Sequence, residues 1–416
     1  MVLRFWGSSL NIFIFAIIGV IAGLAFGEKV IFLKPIGDIF IQLIRMLIVP
    51  VVMFSILNST SQLANTNNAG KVSFFGFLYF FVTSVAAGVL GIMFAKIFNV
   101  GLGLQGVPAS LLTGDQLYSS PEIAKQPSFW EFIINIIPSN PIAALVQGNI
   151  LQIITFFAFL GVAISYLKND YKDNLLQSIN VLNEALLWIM SKVMLITPLA
   201  VLSLIAYATG TLGLEILFLT LKFLFIFLLG CIFLVYGVFG LIMKYFSNVP
   251  YRTFVKKIIP LQIISFTTAS SLVSLPTNLM VCDRLKLNKN ISNFILPIGA
   301  TVNMNGNAMY FSMSAIFFAH MFNIDITFTG YIAIVLASIL GAIGTSGVPG
   351  PSLLIVAVLV VINVPLAGLP LLFAVDRIFD MIRTSINVVG DTTCVGVLDK
   401  YLGYNSQDVA KATYID

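Results

Sequence analysis

Charge is what this chain has least of. Only 9% of its 416 residues are charged and 59% are hydrophobic, against ~25% charged in an ordinary soluble domain. That balance excludes a soluble fold and leaves a polytopic membrane protein. Histidine is nearly absent: His320 stands alone, which excludes a histidine-built metal site and suits a helix-end residue. The three cysteines, Cys231, Cys282 and Cys394, are unclustered and lie in apolar surroundings, as inert packing residues do. The net charge of +5 is not gathered into a basic patch, so no nucleic-acid partner is expected; in a membrane chain it reports basic cytoplasmic loops. The apolar run 10–26 lacks a small-residue cleavage site and reads as a retained first helix.

What is present is apolar length. Spans are expected at about 10–27, 36–59, 72–97, 149–167, 183–209 (kinked at Pro198) and 213–246, since ~20 apolar residues at ~1.5 Å each cross the hydrocarbon layer. Between them, 98–141 is punctuated by Gly101, Gly103, Gly106, Pro108, Pro121, Pro127 and Pro138, the mark of a broken span or an external loop. The stretch 168–173 is polar and reads as a loop. Lysine and arginine concentrate at 168–173 and 244–257, which places both termini on the cytoplasmic side.

After residue 250 the apolar segments become interrupted. Ser265, Thr267, Thr268, Ser270, Ser271, Ser274 and Pro276 break the run that begins at Ile258, and Gly344 to Pro351 break the run Ile332–Val361. Between them, Asn303, Asn305, Gly306 and Asn307 interrupt a helix. Two such broken segments in corresponding positions are the known pointer to the midplane site of a secondary transporter, and irregular backbone at that depth needs a protein interior or a wet cavity.

The last apolar segment carries the most telling pattern. Asp376, Asp380, Arg383, Asn387 and Asp391 recur every three to four residues, so at ~100° per residue they share one helical stripe. A charge at membrane depth costs at least ~2.5–3.5 kcal/mol, so the stripe faces an interior. Three carboxylates against one guanidinium leave an excess of negative charge that a cation or a proton must meet.

Four motifs give this chain a family likeness over residues 8–402: Ser270-Ser271 with Leu275-Pro276; Asn303-Met304-Asn305-Gly306-Asn307; Gly344-Thr345-Ser346-Gly347-Val348-Pro349-Gly350; and Asp380-Met-Ile-Arg383-Thr384 with Asn387 and Gly390-Asp391. Together they resemble the dicarboxylate/amino-acid:cation symporters, which include archaeal aspartate transporters and mammalian excitatory amino acid transporters. The resemblance implies an all-α polytopic membrane protein with eight transmembrane helices and two re-entrant helical hairpins. It implies a homotrimer in membrane lipid, working as an elevator: residues 1–71 and 98–212 form a scaffold, 72–97, 213–250 and 251–402 a moving transport unit, and 403–416 a tail. The function implied is symport of an acidic amino acid, with sodium as the coupling ion and a proton as the alternative, in a bacterial or archaeal cell (inner) membrane.

Residue by residue, the resemblance gives Asp380 the substrate ammonium and Arg383 its side-chain carboxylate, a pairing that favours aspartate or glutamate. Thr384, Asn387, Ser271, Asn307 and the backbone of Gly347 and Val348 complete the pocket, and Asp376 orients Arg383. One sodium falls to Asp391 with Asn387, Gly299 and Asn303. A second falls to backbone oxygens around Thr301, Ala342, Ile343 and Thr345. The family's third sodium site is degenerate here: Thr83 and Ser84 remain, but Phe80 replaces a tyrosine and Asn305 an aspartate, so at most two sodium ions are expected. Asn307 stands for a threonine, and Ala269 stands where archaeal members carry an arginine. An intramembrane aspartyl protease is disfavoured, because Val388 precedes Gly390-Asp391 where a glycine is needed; an ion channel would lack the ammonium-and-carboxylate recognition pair.

Overall fold

A computed structural model describes residues 9–63, 70–102, 129–167, 169–345, 354–365 and 369–402. Those residues are helical throughout, apart from short turns. The helices are α1 (Ser9–Phe26), α2 (Lys34–Leu63), α3 (Gly70–Ile97), α4 (Phe129–Ile136), α5 (Pro141–Gln147), α6 (Ile150–Ser165), α7 (Asn169–Val193), α8 (Thr197–Leu212), α9 (Leu214–Ile232), α10 (Gly240–Phe246), α11 (Tyr251–Thr268), α12 (Ser271–Arg284), α13 (Lys289–Val302), α14 (Asn305–Met321), α15 (Phe328–Ile343), α16 (Ile355–Val361) and α17 (Leu369–Leu402). A 3-10 segment joins α1 to α2, and a π-helical stretch, Phe233–Phe239, joins α9 to α10.

Four helical stretches among the described residues are long and apolar enough to cross a membrane: Ile14–Leu43, Lys71–Ile97, Asn174–Thr211 and Phe218–Phe246. Their outward faces are oily; Phe32, Phe74 and Phe218 are all exposed, as a lipid-facing surface requires. Shorter apolar helices include Ile150–Ser165 and Phe328–Ile343.

One expectation changes. Residues 169–173 of the polar stretch are not a loop, because α7 begins at Asn169; Lys168 lies outside the described residues. That helix is one-sided: Ile179, Asn183, Met190 and Val193 are buried where it packs on α2, and its outer face tolerates polar residues. Pro198 lies within the continuous apolar stretch Asn174–Thr211, which contains the span expected at 183–209. A 3-10 turn at Met194–Ile196 ends α7, and the proline lies in the first turn of α8, where its missing N–H costs nothing. Within 98–141 the structure places α4 and α5; Gly103, Gly106, Pro108, Pro121 and Pro127 lie outside the described residues.

The packing places α17 at the centre of the second half. It touches α11, α12, α13 and α14, so a stripe of charge on it has no route to lipid. Helix α14 is buried along nearly its whole length between α3, α15 and α17. The approach to α3 is close: a Cβ on Gly91 would meet Ser312 Oγ and the carbonyl of Met309.

Both expected interruptions that lie wholly in described residues are there. Helices α11 and α12 pack against each other and are separated by Ala269, at φ +50°, and Ser270, whose hydroxyl caps Val273 N–H. Helices α13 and α14 are separated by Asn303 and Met304, neither of them helical. The third expected interruption, Gly344 to Pro351, begins in described residues, where Gly344 and Thr345 form a turn after α15; the rest of it lies outside the described residues.

Candidate functional site

The helices on either side of the first break, α11 and α12, pack on α17, and the second break meets its polar stripe through Asn303, Met304 and Gly306. Asp376, Asp380, Arg383, Thr384, Asn387 and Asp391 are all buried. Arg383 is 2% exposed and reaches Asp376 and Asp380 with one nitrogen, 3.4 Å to each. Its guanidinium lies over the ring of Tyr310, 4.6 Å from the centroid, which adds a cation–π attraction. Tyr310 is held by an aromatic cluster: Phe379 at 4.9 Å, Phe227 at 5.6 Å and Phe223 at 5.9 Å between ring centroids. Such contacts are worth ~0.5–1.5 kcal/mol each beyond burial. The cluster therefore fixes the platform that fixes the arginine.

A second guanidinium is present that the stripe did not reveal. Arg377 Nη1 lies 3.3 Å from Asp380 Oδ2, while Arg383 holds Asp380 Oδ1. Asp376 and Asp380 are thus matched by two arginines. The excess negative charge read from the sequence reduces to Asp391. The helical i,i+3 spacing of Arg377 and Asp380 was the available signal. Tyr310 offered none, since α14 is buried on every side.

Asp391 lies one turn beyond Asn387. Its Oδ1 accepts from Asn303 Nδ2 at 2.8 Å. Gly299 comes so close that a Cβ there would press into this carboxylate, 2.7 Å from its Cγ. Asn303 Oδ1 is buried and has no hydrogen-bond partner among the described residues. A carboxylate, an orphaned amide oxygen and a glycine that leaves room beside them form a hard-oxygen donor set, which suits a sodium ion. Asn387 is committed differently: its Oδ1 accepts from Gly306 N–H at 2.7 Å and its Nδ2 meets Met304 Sδ at 3.1 Å. It thereby ties the break before α14 to α17.

Thr384 donates to the carbonyl of Asp380 at 2.8 Å. Asn307 Nδ2 reaches Thr345 Oγ1 at 2.6 Å, and that hydroxyl donates to the carbonyl of Ala342, also at 2.6 Å. Asn307 is thereby tied to Ala342 and Thr345 at the end of α15. Thr301 Oγ1 turns to Ile298 O, and Ile343 is the last residue of α15. Ser271 opens α12, 2% exposed. Gly347 and Val348 lie outside the described residues.

Among the residues expected to form a degenerate third site, Ser84 donates to Asn305 Oδ1 at 2.9 Å. Asn305 Nδ2 is buried without a hydrogen-bond partner among the described residues. Thr83 bonds back to the carbonyls of Tyr79 and Phe80, and Phe80 is buried. An amide N–H₂ is a donor and repels a cation. Sequence reading also missed Asn278, which donates to Val388 O and accepts from Thr392, clamping α12 to α17. His320 meets Val100 O through Nδ1 at a helix end, and all three cysteines are free and buried.

The model of the sodium:dicarboxylate symporter family matches residues 9–401. A proton/sodium-glutamate symport protein from Bacillus subtilis is 30% identical over 404 residues, 96% of this chain and 93% of that protein. A proton/glutamate-aspartate symporter from Escherichia coli is 28% identical, covering 89% and 85%. A C4-dicarboxylate transport protein from Rhodospirillum rubrum is 29% identical, covering 94% and 87%. With a match that runs nearly end to end and a buried acidic stripe met by two broken helices, this integral membrane chain belongs to the sodium:dicarboxylate symporter family and is a transporter, not an enzyme.

Proposed function

We propose that this protein imports an acidic amino acid, aspartate or glutamate, against its gradient by coupling to sodium. The observation that carries this reading is the pairing of Asp380 and Arg383 on one buried face: a carboxylate for an α-ammonium, and a fixed planar cation for a side-chain carboxylate. Thr384, Asn387, Ser271, Asn307 and the backbone of Gly347 and Val348 take the remaining substrate groups, and Asp376 steadies the arginine. One sodium sits with Asp391, Asn303, Gly299 and Asn387, and a second with Thr301, Ala342, Ile343 and Thr345. The architecture we infer has eight spans, two re-entrant hairpins (α11–α12 and α15–α16), and a homotrimer. In it α1, α2 and α4 to α8 stay fixed, while α3 and the helices from α9 onward move as the elevator. Both termini are cytoplasmic.

Uptake of labelled L-aspartate into liposomes holding the purified protein tests this, with L-glutamate as competitor. Accumulation is expected under an inward sodium gradient alone. Accumulation under a proton gradient alone would favour the second reading, proton symport, which the mixed coupling named for the Bacillus subtilis relative supports. Accumulation under neither would sink the assignment.

The orphaned Asn305 amide beside Ser84 makes a further prediction. Asn305→Asp restores a carboxylate to a site with two hydroxyls. The sodium dependence of uptake should become steeper, and half-maximal sodium should fall by about threefold or more, a change of ~0.7 kcal/mol. An unchanged sodium curve would count against the lost-site idea.

A further inference from the structure

Far from the polar stripe, six helix ends meet at one end of the second half. Gly76, in the second turn of α3, lies against Ile295 of α13 and Leu398 of α17. The N–H of Asn288, just before α13, donates to Asp399 near the end of α17 at 3.1 Å. Lys400 Nζ donates to the carbonyl of Tyr245, near the end of α10, at 3.0 Å. Short turns join α10 to α11 and α12 to α13 at the same end. Nine lysines and arginines stand there against Asp283 and Asp399, an excess larger than the net +5 of the whole chain. All nine are exposed. At the opposite end, where Lys222 meets the carbonyl of Asn99 beyond α3, Lys96 and Lys222 are balanced by Glu215 and Asp325. The polar stretch 168–173 is likewise balanced, two lysines against two aspartates.

Helix stability does not account for this placement. Lys244, Arg284 and Lys400 lie in last turns, where a cation suits the helix dipole. Lys71 and Arg252 lie in first turns and Lys289 opens α13, and none of these three turns holds an acidic residue. There the dipole opposes a cation. Lys289 has Asp283 only at 3.9 Å, with both side chains in solvent, a pair of little strength. Lys256, Lys257 and Lys286 complete the nine. A local rule broken at three helix starts on one surface calls for an anion from outside the chain. Tyr245, Phe246 and Tyr401 are exposed among these cations, with Lys244 and Lys400 over tyrosine rings at 5.1 and 5.7 Å. Aromatic rings beside lysines are the chemistry of the headgroup level of a membrane.

We infer that this basic end is a docking surface for anionic phospholipid headgroups, and that holding them weights the outward position of the moving unit. Attraction to an anionic leaflet falls off within a Debye length, ~8 Å at physiological salt. On the elevator reading above, on which this second step rests, the basic end is cytoplasmic and inward travel carries it away from the leaflet. The headgroups therefore favour the return.

The first test needs no transport. Purified protein in neutral detergent is melted with added phosphatidylglycerol or phosphatidylcholine. Wild type should gain several degrees in Tm from phosphatidylglycerol and little from phosphatidylcholine, and about 1 M salt should erase the gain. The triple variant Lys71→Gln, Arg252→Gln, Lys289→Gln should melt at or above wild type without lipid, because the dipoles are no longer opposed. It should need at least about thirtyfold more phosphatidylglycerol for the same gain, since each charge is worth about fivefold. Lys96→Gln with Lys222→Gln should leave the gain unchanged. Equal gains from the two lipids, or one phosphatidylglycerol curve for wild type and triple variant, overturn the docking surface. Should the triple variant not fold, Lys256→Gln with Lys257→Gln carries the same comparison. In liposomes, the aspartate needed for half-maximal uptake should fall several-fold when phosphatidylglycerol replaces part of the phosphatidylcholine, in wild type and not in the triple variant. A gain in Tm without that fall keeps the surface and rejects its weighting of the outward position. A gain in Tm with no uptake in either lipid sinks the import reading and leaves the surface standing.

Discussion

Replacing Arg383 with leucine should abolish transport of acidic substrates and loosen the protein as well. Arg383 is among the largest fully buried side chains. It joins Asp376 and Asp380 and stacks on Tyr310. Leucine fills part of the volume and removes the charge, so Asp376 loses its guanidinium in a place water does not reach. Breaking a buried pair in this way costs ~3–5 kcal/mol, which a thermal unfolding measurement in detergent should show as a clear drop. Losing the partner of a buried substrate carboxylate costs ~2–5 kcal/mol in binding, about thirty-fold to several thousand-fold in apparent affinity. Arg383→Lys separates the two effects. It keeps the charge near the aspartates, so most of the stability should return. It lacks the planar fork and the flat face for Tyr310, so aspartate uptake should stay well below wild type. Aspartate affinity within threefold of wild type in the leucine variant would remove Arg383 from the substrate site.

The contrast between Arg383 and Arg377 shows how far the sequence could be read. Arg383 is legible because it shares a three-to-four residue period with four other polar groups in an apolar chain, and that period survives in α17 unchanged. The break at Ala269 and Ser270 and the break at Asn303 and Met304 are legible for a related reason: hydroxyl and amide residues in an apolar run compete for backbone partners, and the structure puts both breaks at the positions that pattern marked. Arg377 was not legible as part of the stripe. It follows Asp376 directly, so its Cα lies ~100° from that residue around the helix, and its link to Asp380 is an i,i+3 spacing outside the stripe's own register. Tyr310 was hidden by the opposite circumstance, a helix so fully buried that no face stands out. The polar start of α7 misled because solvent-facing turns of a helix and a polar loop have the same composition. The orphaned oxygen of Asn303 is beyond any sequence pattern, since it depends on which end of one amide faces Asp391.

That orphaned oxygen beside Asp391 marks a place for a cation, and makes Asp391→Asn the substitution with the largest expected effect on coupling. Asp376 and Asp380 are balanced by arginines on their own helix. Asp391 is 1% exposed and accepts from the neutral amide of Asn303, so its charge calls for a cation from outside the chain. Asparagine has nearly the same shape and keeps a hydrogen-bond acceptor for Asn303, so the fold should hold. What goes is the charge, and with it most of the attraction for sodium; sodium-driven accumulation of aspartate should fall by about a hundredfold, or ~2.7 kcal/mol. Gly299→Ala approaches the same site by shape. Its added methyl would push into the Asp391 carboxylate, against side-chain atoms anchored on α17, and should raise the sodium needed for half-maximal uptake by at least about tenfold. Arg383 is two helical turns away along α17 and should be touched by neither change. Aspartate at saturating sodium should therefore still protect the alanine variant against thermal unfolding. A sodium requirement for uptake that is unaltered in Asp391→Asn would mean the coupling ion binds elsewhere. In that case the backbone oxygens around Ala342 and Thr345, where Asn307 already meets the end of α15, become the next place to look.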